Sequence, residues 1–264
     1  MMTFWPSPPH LQAPFFSPPD QSRQSVGLSW PLLICRTLVA QCWHMCGRMS
    51  HAGITWTELA GWMDGLRPAA ADPDLRYNVP PTAMIPIIRR DGDALAGDFA
   101  RWGLIPHWHH RPLTDWKANT INARVESVAT AASYRDAYQR ARCVVPASGY
   151  FEWQTTDGSK QPFYIHPSGN APALLIAGLW SSVTLPDYEG LTCTVLTEPA
   201  RTALDAIHDR MPVIVDPEGA RTWLDSCEIG TVPRLPVAGL TWHAVPRTVG
   251  DVRNEGPELI EPIE

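Results

Sequence analysis

Proline occupies 27 of the 264 positions, roughly twice the usual share, and no other feature limits the fold as much. Each proline fixes φ and removes a backbone donor, so long helices and uninterrupted central strands are disfavoured along much of the chain. Short strands and turns remain. With 44% hydrophobic residues there is still enough apolar surface for a sizeable core. Thr55-Trp56-Thr57-Glu58 reads as a capping box that opens a short amphipathic helix to about Leu66. Met84–Ile88 and Phe99–Leu104 read as strands, with Pro86 placing the first at an edge or bulge. Ser133–Arg140 reads as a helix with Ser133 at its N-cap, and 198–207 as another. Strand-like runs fall at 143–147, 162–166, 173–180, 191–197, 210–215 and 241–246. Asp216-Pro217-Glu218 orders an N-cap, an N1 proline and an early acid before a further helix. Strands outnumber helices and do not alternate with them. That predicts an α+β fold, one domain over residues 45–264 built around a curved, mostly antiparallel sheet or barrel with flanking helices.

Residues 1–44 differ in character from the rest of the chain. Residues 1–27 are rich in proline and serine, and 28–40 are mildly apolar but broken by Pro31 and Arg36. The apolar run is too short to span a membrane, and with only Arg23 ahead of it there is no basic region of a signal peptide. The expectation is a disordered extension outside the fold, from a misread start or removed by processing, the first being favoured. Met45 then becomes the start, and its removal exposes the α-amine of Cys46.

Formal net charge is −6, so no global field attracts polyanions, and nucleic-acid binding has to come from a local basic groove. Cys35, Cys42, Cys46, Cys143, Cys193 and Cys227 contain no C-x-x-C pair, and the spacing from Cys42 to Cys46 does not fit a zinc knuckle. Scattered thiols suit a reducing cytosol. Cys143, Cys193 and Cys227 lie in apolar runs and read as small buried hydrophobes. His107, His109 and His110 lack carboxylates at ligand spacing and read as surface residues, so no metal is expected. No phosphate-binding glycine loop is present, and no cofactor is expected.

Four segments are denser in reactive groups than packing requires. With a free N-terminus Cys46 is a 1,2-aminothiol. Its α-amine has a reference pKa of about 7.7–8.0, against about 10.4 for lysine, so near neutrality much of it is uncharged and adds to aldehydes. The thiol can then close on the imine carbon as a thiazolidine, which no internal residue can do. The bland alternative is one more buried hydrophobe. Asn122, Arg124 and Glu126 stand at alternate positions and share one face of a strand, although a solvated surface row reads the same way. Glu152 sits between aromatics in Gly149-Tyr150-Phe151-Glu152-Trp153, where desolvation raises a carboxyl toward acid–base use. His208 follows the 198–207 segment and adjoins Asp209, so it can shuttle protons, or simply cap a helix.

Taken in order, Met45–Arg48 (M-C-G-R), Arg76–Pro81 (R-Y-N-V-P-P), Trp102–Pro106 (W-G-L-I-P), Asn122–Glu126 (N-A-R-V-E), Gly149–Trp153 (G-Y-F-E-W), Lys160–Phe163 (K-Q-P-F) and His208–Pro212 (H-D-R-M-P) resemble the SRAP family, the SOS response-associated peptidases. The ending Val249–Pro262 is similar too, so the resemblance runs from residue 45 to about 262. It implies a DNA damage response protein that senses abasic sites in single-stranded DNA and crosslinks to them through Cys46 as a thiazolidine. It further implies that Cys46 is the nucleophile, that Asn122 positions the ring-opened sugar, that Glu152 is general acid and base at the amine, and that His208 protonates the sugar oxygen. Arg48 and Arg124 are implied to contact phosphates, Asn78 to line the same cleft, and Trp108 to stack on a base. Lyase activity by β-elimination and a thiol autopeptidase step that frees Cys46 are implied as well. So is a cytoplasmic, nucleoid-associated monomer with no membrane partner. Two departures stand out: His109 follows Trp108 where the family often pairs tryptophans, and the chain as written does not begin at Cys46.

Two other classes compete. An N-terminal-nucleophile amidohydrolase would also use Cys46, with its α-amine as base, but Arg48 and the G-Y-F-E-W and H-D-R-M-P segments have no evident role in it. A non-catalytic single-strand binding module would rest on the 12 tryptophans, against which the net acidity argues.

Overall fold

A computed structural model of the chain turns the strand-rich pattern into a closed ring of strands. It describes residues 47–225 and 228–263, all within one compact unit. The expectations for residues 1–44, Met45, Cys46 and Cys227 lie outside them. In chain order the strands are β1 (Met49–Ser50), β2 (Leu66–Arg67), β3 (Met84–Asp91), β4 (Ala94–Trp102), β5 (Asn122–Arg124), β6 (Arg142–Ala147) and β7 (Gly149–Thr156). They continue as β8 (Ser159–Pro167), β9 (Leu174–Leu185), β10 (Tyr188–Pro199), β11 (Arg210–Pro212), β12 (Ile214–Val215) and β13 (Leu240–Ala244). The helices are α1 (Trp56–Trp62), α2 (Arg135–Arg140) and α3 (Pro217–Leu224).

β10, β4, β3, β6 and β9 follow one another by hydrogen bonding, and β9 pairs back onto β10, so these strands close into a barrel. Its joints are antiparallel except the parallel β10–β4 pair. β2 extends β4, β5 and β11 extend β10, and β12 extends β9. A second sheet has the order β1-β7-β8-β13. The α+β class and the curved, mostly antiparallel barrel are as expected.

The barrel strands are buried on both faces, which is why 143–147 and 173–180 read as continuous apolar runs without polar alternation. Alternate residues enter different cores. Ile87, Cys143, Val145 and Ile176 pack in one with Trp102, while Val144, Leu175 and Leu196 pack in another with Trp56 of α1 and Trp223 of α3. Cys143 and Cys193 are fully buried free thiols, and burial pushes both pKa values up, so they behave as hydrophobes.

α1 opens as read, with Thr55 Oγ1 accepting from the Glu58 N–H at 3.2 Å. It ends at Trp62, short of Leu66, because Gly65 at φ 76° turns the chain into β2 against β4. α3 is capped by Asp216, whose Oδ1 accepts from the Gly219 N–H at 2.7 Å. Other expectations are corrected. β3 is an interior strand, and Pro86 is tolerated because that half of it pairs with β4 alone, the bonding to β6 starting at Ile88. Ser133 caps nothing: α2 starts at Arg135 with Tyr134 as its N-cap. Residues 198–207 are not a helix, because Glu198 and Pro199 finish β10 against Met211 and Arg210, and only Thr202–Ala206 coil as a 3₁₀ turn. Residues 210–215 form two strands. Val213 between them donates to Leu196 of β10 and accepts from Ala177 of β9, both at 2.9 Å, as the chain crosses from one to the other.

Candidate functional site

β5 lays Asn122–Arg124 parallel to the C-terminal half of β10, with Asn122 opposite Val195 and Arg124 opposite Thr197. Ala123 between them is buried in the core, so Asn122 and Arg124 face the other way, and Arg124 is exposed. The strand stops there, because the Ser127 and Val128 N–H groups both turn back to the Arg124 carbonyl, at 3.1 and 2.9 Å. Glu126 therefore leaves the row expected for positions 122, 124 and 126. It makes a bidentate pair with Arg210 of β11, Nη1 to Oε1 and Nη2 to Oε2, and that bonding holds its carboxyl below the usual range. Arg210 Nη2 also donates to the Thr197 carbonyl at 2.7 Å. Two motif segments thus lock together across β10. Arg210, to which the sequence assigned no role of its own, belongs to the site, and its place in H-D-R-M-P was the available signal.

His208 follows the 3₁₀ turn, its N–H bonded to the Leu204 carbonyl at 3.1 Å, with a side chain 14% exposed. Its Nδ1 accepts from the Arg210 N–H at 3.1 Å and lies 2.9 Å from Asp209 Oδ1. The first contact suits a neutral ring with its proton on Nε2, and the second suits the imidazolium. Each protonation state has a partner, which is what a proton shuttle requires. Burial lowers the pKa from its ordinary value, and the Asp209 carboxylate opposes that shift.

Glu152 stands on β7, opposite Phe163 of β8, and is 3% exposed. β7 has to begin with glycine, because a Cβ at Gly149 would come within 2.4 Å of the Tyr164 ring. On the other side β7 pairs with β1, with Met49 opposite Tyr150, and the Phe151 N–H donates to the Arg48 carbonyl at 3.0 Å. Two residues beyond Glu152, Gln154 Nε2 donates to the Ala206 carbonyl at 2.8 Å. That bond ties the strand carrying Glu152 to the turn carrying His208.

Arg48 and Asn78 are buried, at 9% and 0% exposure, and are bonded to the chain itself rather than presented at an open cleft. Arg48 Nη1 donates to Asn78 Oδ1 at 2.6 Å and to the Val249 carbonyl at 2.8 Å. Asn78 Nδ2 donates to the carbonyls of Val249, Asp251 and Asn254 at 2.9–3.2 Å. Glu255 closes the clamp, accepting from the Asn78 N–H and from Arg76. Burial works against the Arg48 cation, and the carboxylates of Asp251 and Glu255 work for it. These contacts explain why M-C-G-R, R-Y-N-V-P-P and the C-terminal segment occur in one chain: their polar groups satisfy one another.

Trp108 is 43% exposed, with its Nε1 directed at the Ala132 carbonyl, 3.4 Å away. It meets Trp116 edge to face at 5.7 Å between centroids. His109 is not a surface residue: it is 8% exposed, and its ring packs on Trp116 at 5.2 Å. Residues 108–111 and 115–118 line a concavity of about 540 Å³. Among the described residues no group of three or more His, Cys, Asp or Glu side chains is placed to hold a metal, and no helix is long and apolar enough to cross a membrane.

Residues 45–252 match the family described as SOS response associated peptidase (SRAP). The chain is 32% identical over 229 residues to the abasic site processing protein YedK of Escherichia coli, spanning 83% of this chain and all of that one. It is 31% identical over 220 residues to the abasic site processing protein HMCES of Xenopus tropicalis, spanning 71% of this chain and 66% of that one. A crystal structure of a Bacteroides thetaiotaomicron protein shares the fold, with a TM-score of 0.70 at 23% identity over 83% of this chain and all of that one.

Proposed function

The chain belongs to the SRAP family, and from that premise we propose that it processes abasic sites, capturing them in single-stranded DNA as a covalent thiazolidine formed by Cys46. One observation carries the reading. The Arg48 carbonyl accepts from the Phe151 N–H at 3.0 Å, so the residues directly after Cys46 are laid beside the strand that holds Glu152. The Gln154–Ala206 bond then brings the His208 turn to that same strand.

The chemistry balances without an outside reagent. The neutral α-amine of a mature N-terminal Cys46 adds to the aldehyde of the ring-opened sugar. The carbinolamine loses water, with Glu152 and His208 moving the protons, and leaves an imine. The Cys46 sulfur adds to the imine carbon, and the thiol proton passes to nitrogen. Asn122 holds the sugar, Arg124 faces the strand's phosphates, and Trp108 stacks on a base. Reversal runs through the same imine, and β-elimination from it is the lyase side reaction. A peptide bond before Cys46 makes its nitrogen an amide and blocks every step, so maturation to Cys46 is required, by removal of Met45 or by autoproteolysis. The protein acts as a monomer on cytoplasmic DNA.

The test is a denaturing gel of three proteins mixed with single-stranded DNA carrying one abasic site: the chain from Met45, the full 264 residues, and Cys46→Ala. A heat-stable slow band from the Met45 form and none from Cys46→Ala is expected. A full-length band accompanied by an N-terminus at Cys46 assigns self-processing. No band from any form contradicts the proposal.

A further inference from the structure

Asn122 is held by a side chain outside the motif segments. Where β5 runs parallel to β10, the Val195 N–H donates to the Ile121 carbonyl at 3.2 Å and the Val125 N–H to the Thr197 carbonyl at 3.0 Å. Backbone groups along a strand alternate in direction, so those of Ile121, Ala123 and Val125 turn to β10 while those of Asn122 and Arg124 turn away. The Arg124 carbonyl accepts from the Ser127 and Val128 N–H groups of the following turn. The Asn122 carbonyl accepts from the phenol of Tyr134, with Oη donating at 3.0 Å. Among the described residues β5 pairs with β10 alone, so on its open side this phenol takes the place of a neighbouring strand.

Tyr134 stands on an anchored element. Its ring packs on the core that holds Trp56 and Trp223. One turn further along α2, Tyr138 packs on Trp223 at 5.9 Å between centroids, and its Oη accepts from the Ile229 N–H at 3.1 Å. Trp223 Nε1 in turn donates to the Cys143 carbonyl of β6 at 3.0 Å, which ties α2 to the barrel wall. Burial pushes the Tyr134 pKa up to about 12, with the Thr194 hydroxyl opposing, so near neutrality the phenol keeps its proton and stays a donor. A phenylalanine would fill the same apolar space and leave the Asn122 carbonyl without that donor.

Resting on the reading of Asn122 as the sugar-positioning residue, we propose that Tyr134 is a positioning residue for abasic-site capture. Its hydroxyl sets the backbone of Asn122, and through the backbone the direction of the Asn122 side chain toward the ring-opened sugar. Tyr134 touches no substrate. It acts on the rate at which bound DNA reacts, because a shift on the order of 1 Å in a group that orients a substrate slows the chemistry far more than it weakens contacts elsewhere.

Tyr134→Phe tests this in two ways, each read on the full chain and on the form from Met45. The first needs no DNA. Amide hydrogen exchange at Val125, whose N–H is bonded to Thr197, should speed up roughly tenfold as β5 loses its tie, the scale of one partly buried hydrogen bond. Val245, bonded to the Pro162 carbonyl of β8, should exchange as in wild type, whereas a general loss of stability would speed both. The second is crosslinking to single-stranded DNA with one abasic site, followed over a range of DNA concentrations. The maximal rate should fall roughly tenfold while the half-saturating concentration stays the same. In an Asn122→Ala background Tyr134→Phe should add less than about twofold, because both changes remove the same group from its place. Wild-type exchange at Val125 in Tyr134→Phe overturns the proposal, and so does a wild-type maximal rate when Asn122→Ala alone is slow. An Asn122→Ala protein as fast as wild type is a different failure: it overturns the reading of Asn122, and the catalytic part of the proposal goes with it even if Val125 exchanges faster.

Discussion

His51 and His208 are both largely buried histidines beside an arginine, Arg76 in one case and Arg210 in the other. His51 lies next to the clamp that joins Arg48, Asn78 and the C-terminal segment, and its Nε2 has no hydrogen-bond partner among the described residues. Burial, then the Arg76 charge, pushes its pKa down to about 3. His208 is lowered too, but Asp209 stands ready for its proton and the Arg210 N–H for its lone pair. The arginines divide in the same way. Arg48 is enclosed and bonded to Asn78 and two carbonyls, whereas Arg124 is exposed on β5. Both regions are dense in motif residues. In the clamp those residues enclose one another, and at the end of β10 the Glu126–Arg210 pair sits beside an exposed Arg124.

This contrast can be broken at several points. The largest effect is expected at His208. His208→Ala should slow crosslinking at least about a hundredfold, the low end for a missing general acid–base, while thermal denaturation moves little. Reversal of the wild-type crosslink should speed up as pH falls from about 8 toward 6, because the imidazolium fraction grows, and the variant should lose that limb. A His208→Ala protein that crosslinks normally would put His208 in the same class as His51.

Asn78→Leu should have the opposite profile. It strips three carbonyls and the buried Arg48 of a partner, which costs about 3 kcal/mol and lowers Tm by roughly 10 °C in a domain of this size. A stable Asn78→Leu protein with weakened DNA binding would move Asn78 to the open side of the comparison.

His51 sharpens the contrast through pH. The unfolded chain takes up a proton there below its ordinary pKa of 6.5, and the folded chain does not until about 3. Acid therefore favours the unfolded state. Stability should be full above about pH 6.5 and fall by up to about 1.4 kcal/mol per pH unit below it, continuing toward pH 3. Denaturant titrations at several pH values measure this, and His51→Phe should flatten the slope. The smallest effect is expected at Arg124. Arg124→Ala should leave stability within about 0.5 kcal/mol and weaken single-strand affinity only a few-fold, with a shallower salt dependence.

How much could be read from the sequence depends on how local each signal is. The cap at Asp216 and the Thr55–Glu58 pair concern neighbours three residues apart, and the structure has them. The apolar runs of β6 and β9 announced themselves because both faces are buried. The 198–207 segment misled because its alanines and Leu204 favour a helix, while Glu198 and Pro199 are held in β10 by β11. For the site, Asn122, Arg124, Glu152 and His208 were named from their motifs, and the structure ties their strands together through Thr197, Arg210 and Gln154. The enclosure of Arg48 and Asn78 could not be read, because their partners lie more than 170 residues away in the C-terminal segment. The burial of His109 depends on Trp116 folding back across the loop.

The proposed capture of the lesion turns on a bond at Cys46, and the most direct measurement of that bond is the mass of the crosslinked peptide. Trypsin cuts after Arg48, so a mature protein crosslinked to abasic DNA, then digested with nuclease and trypsin, should release Cys46-Gly47-Arg48 carrying the ring-opened sugar. In that tripeptide both the α-amine and the thiol should resist alkylating reagents, as a thiazolidine requires. The sugar on Lys117 or Lys160, or on a Cys46 whose amine still reacts, would contradict it.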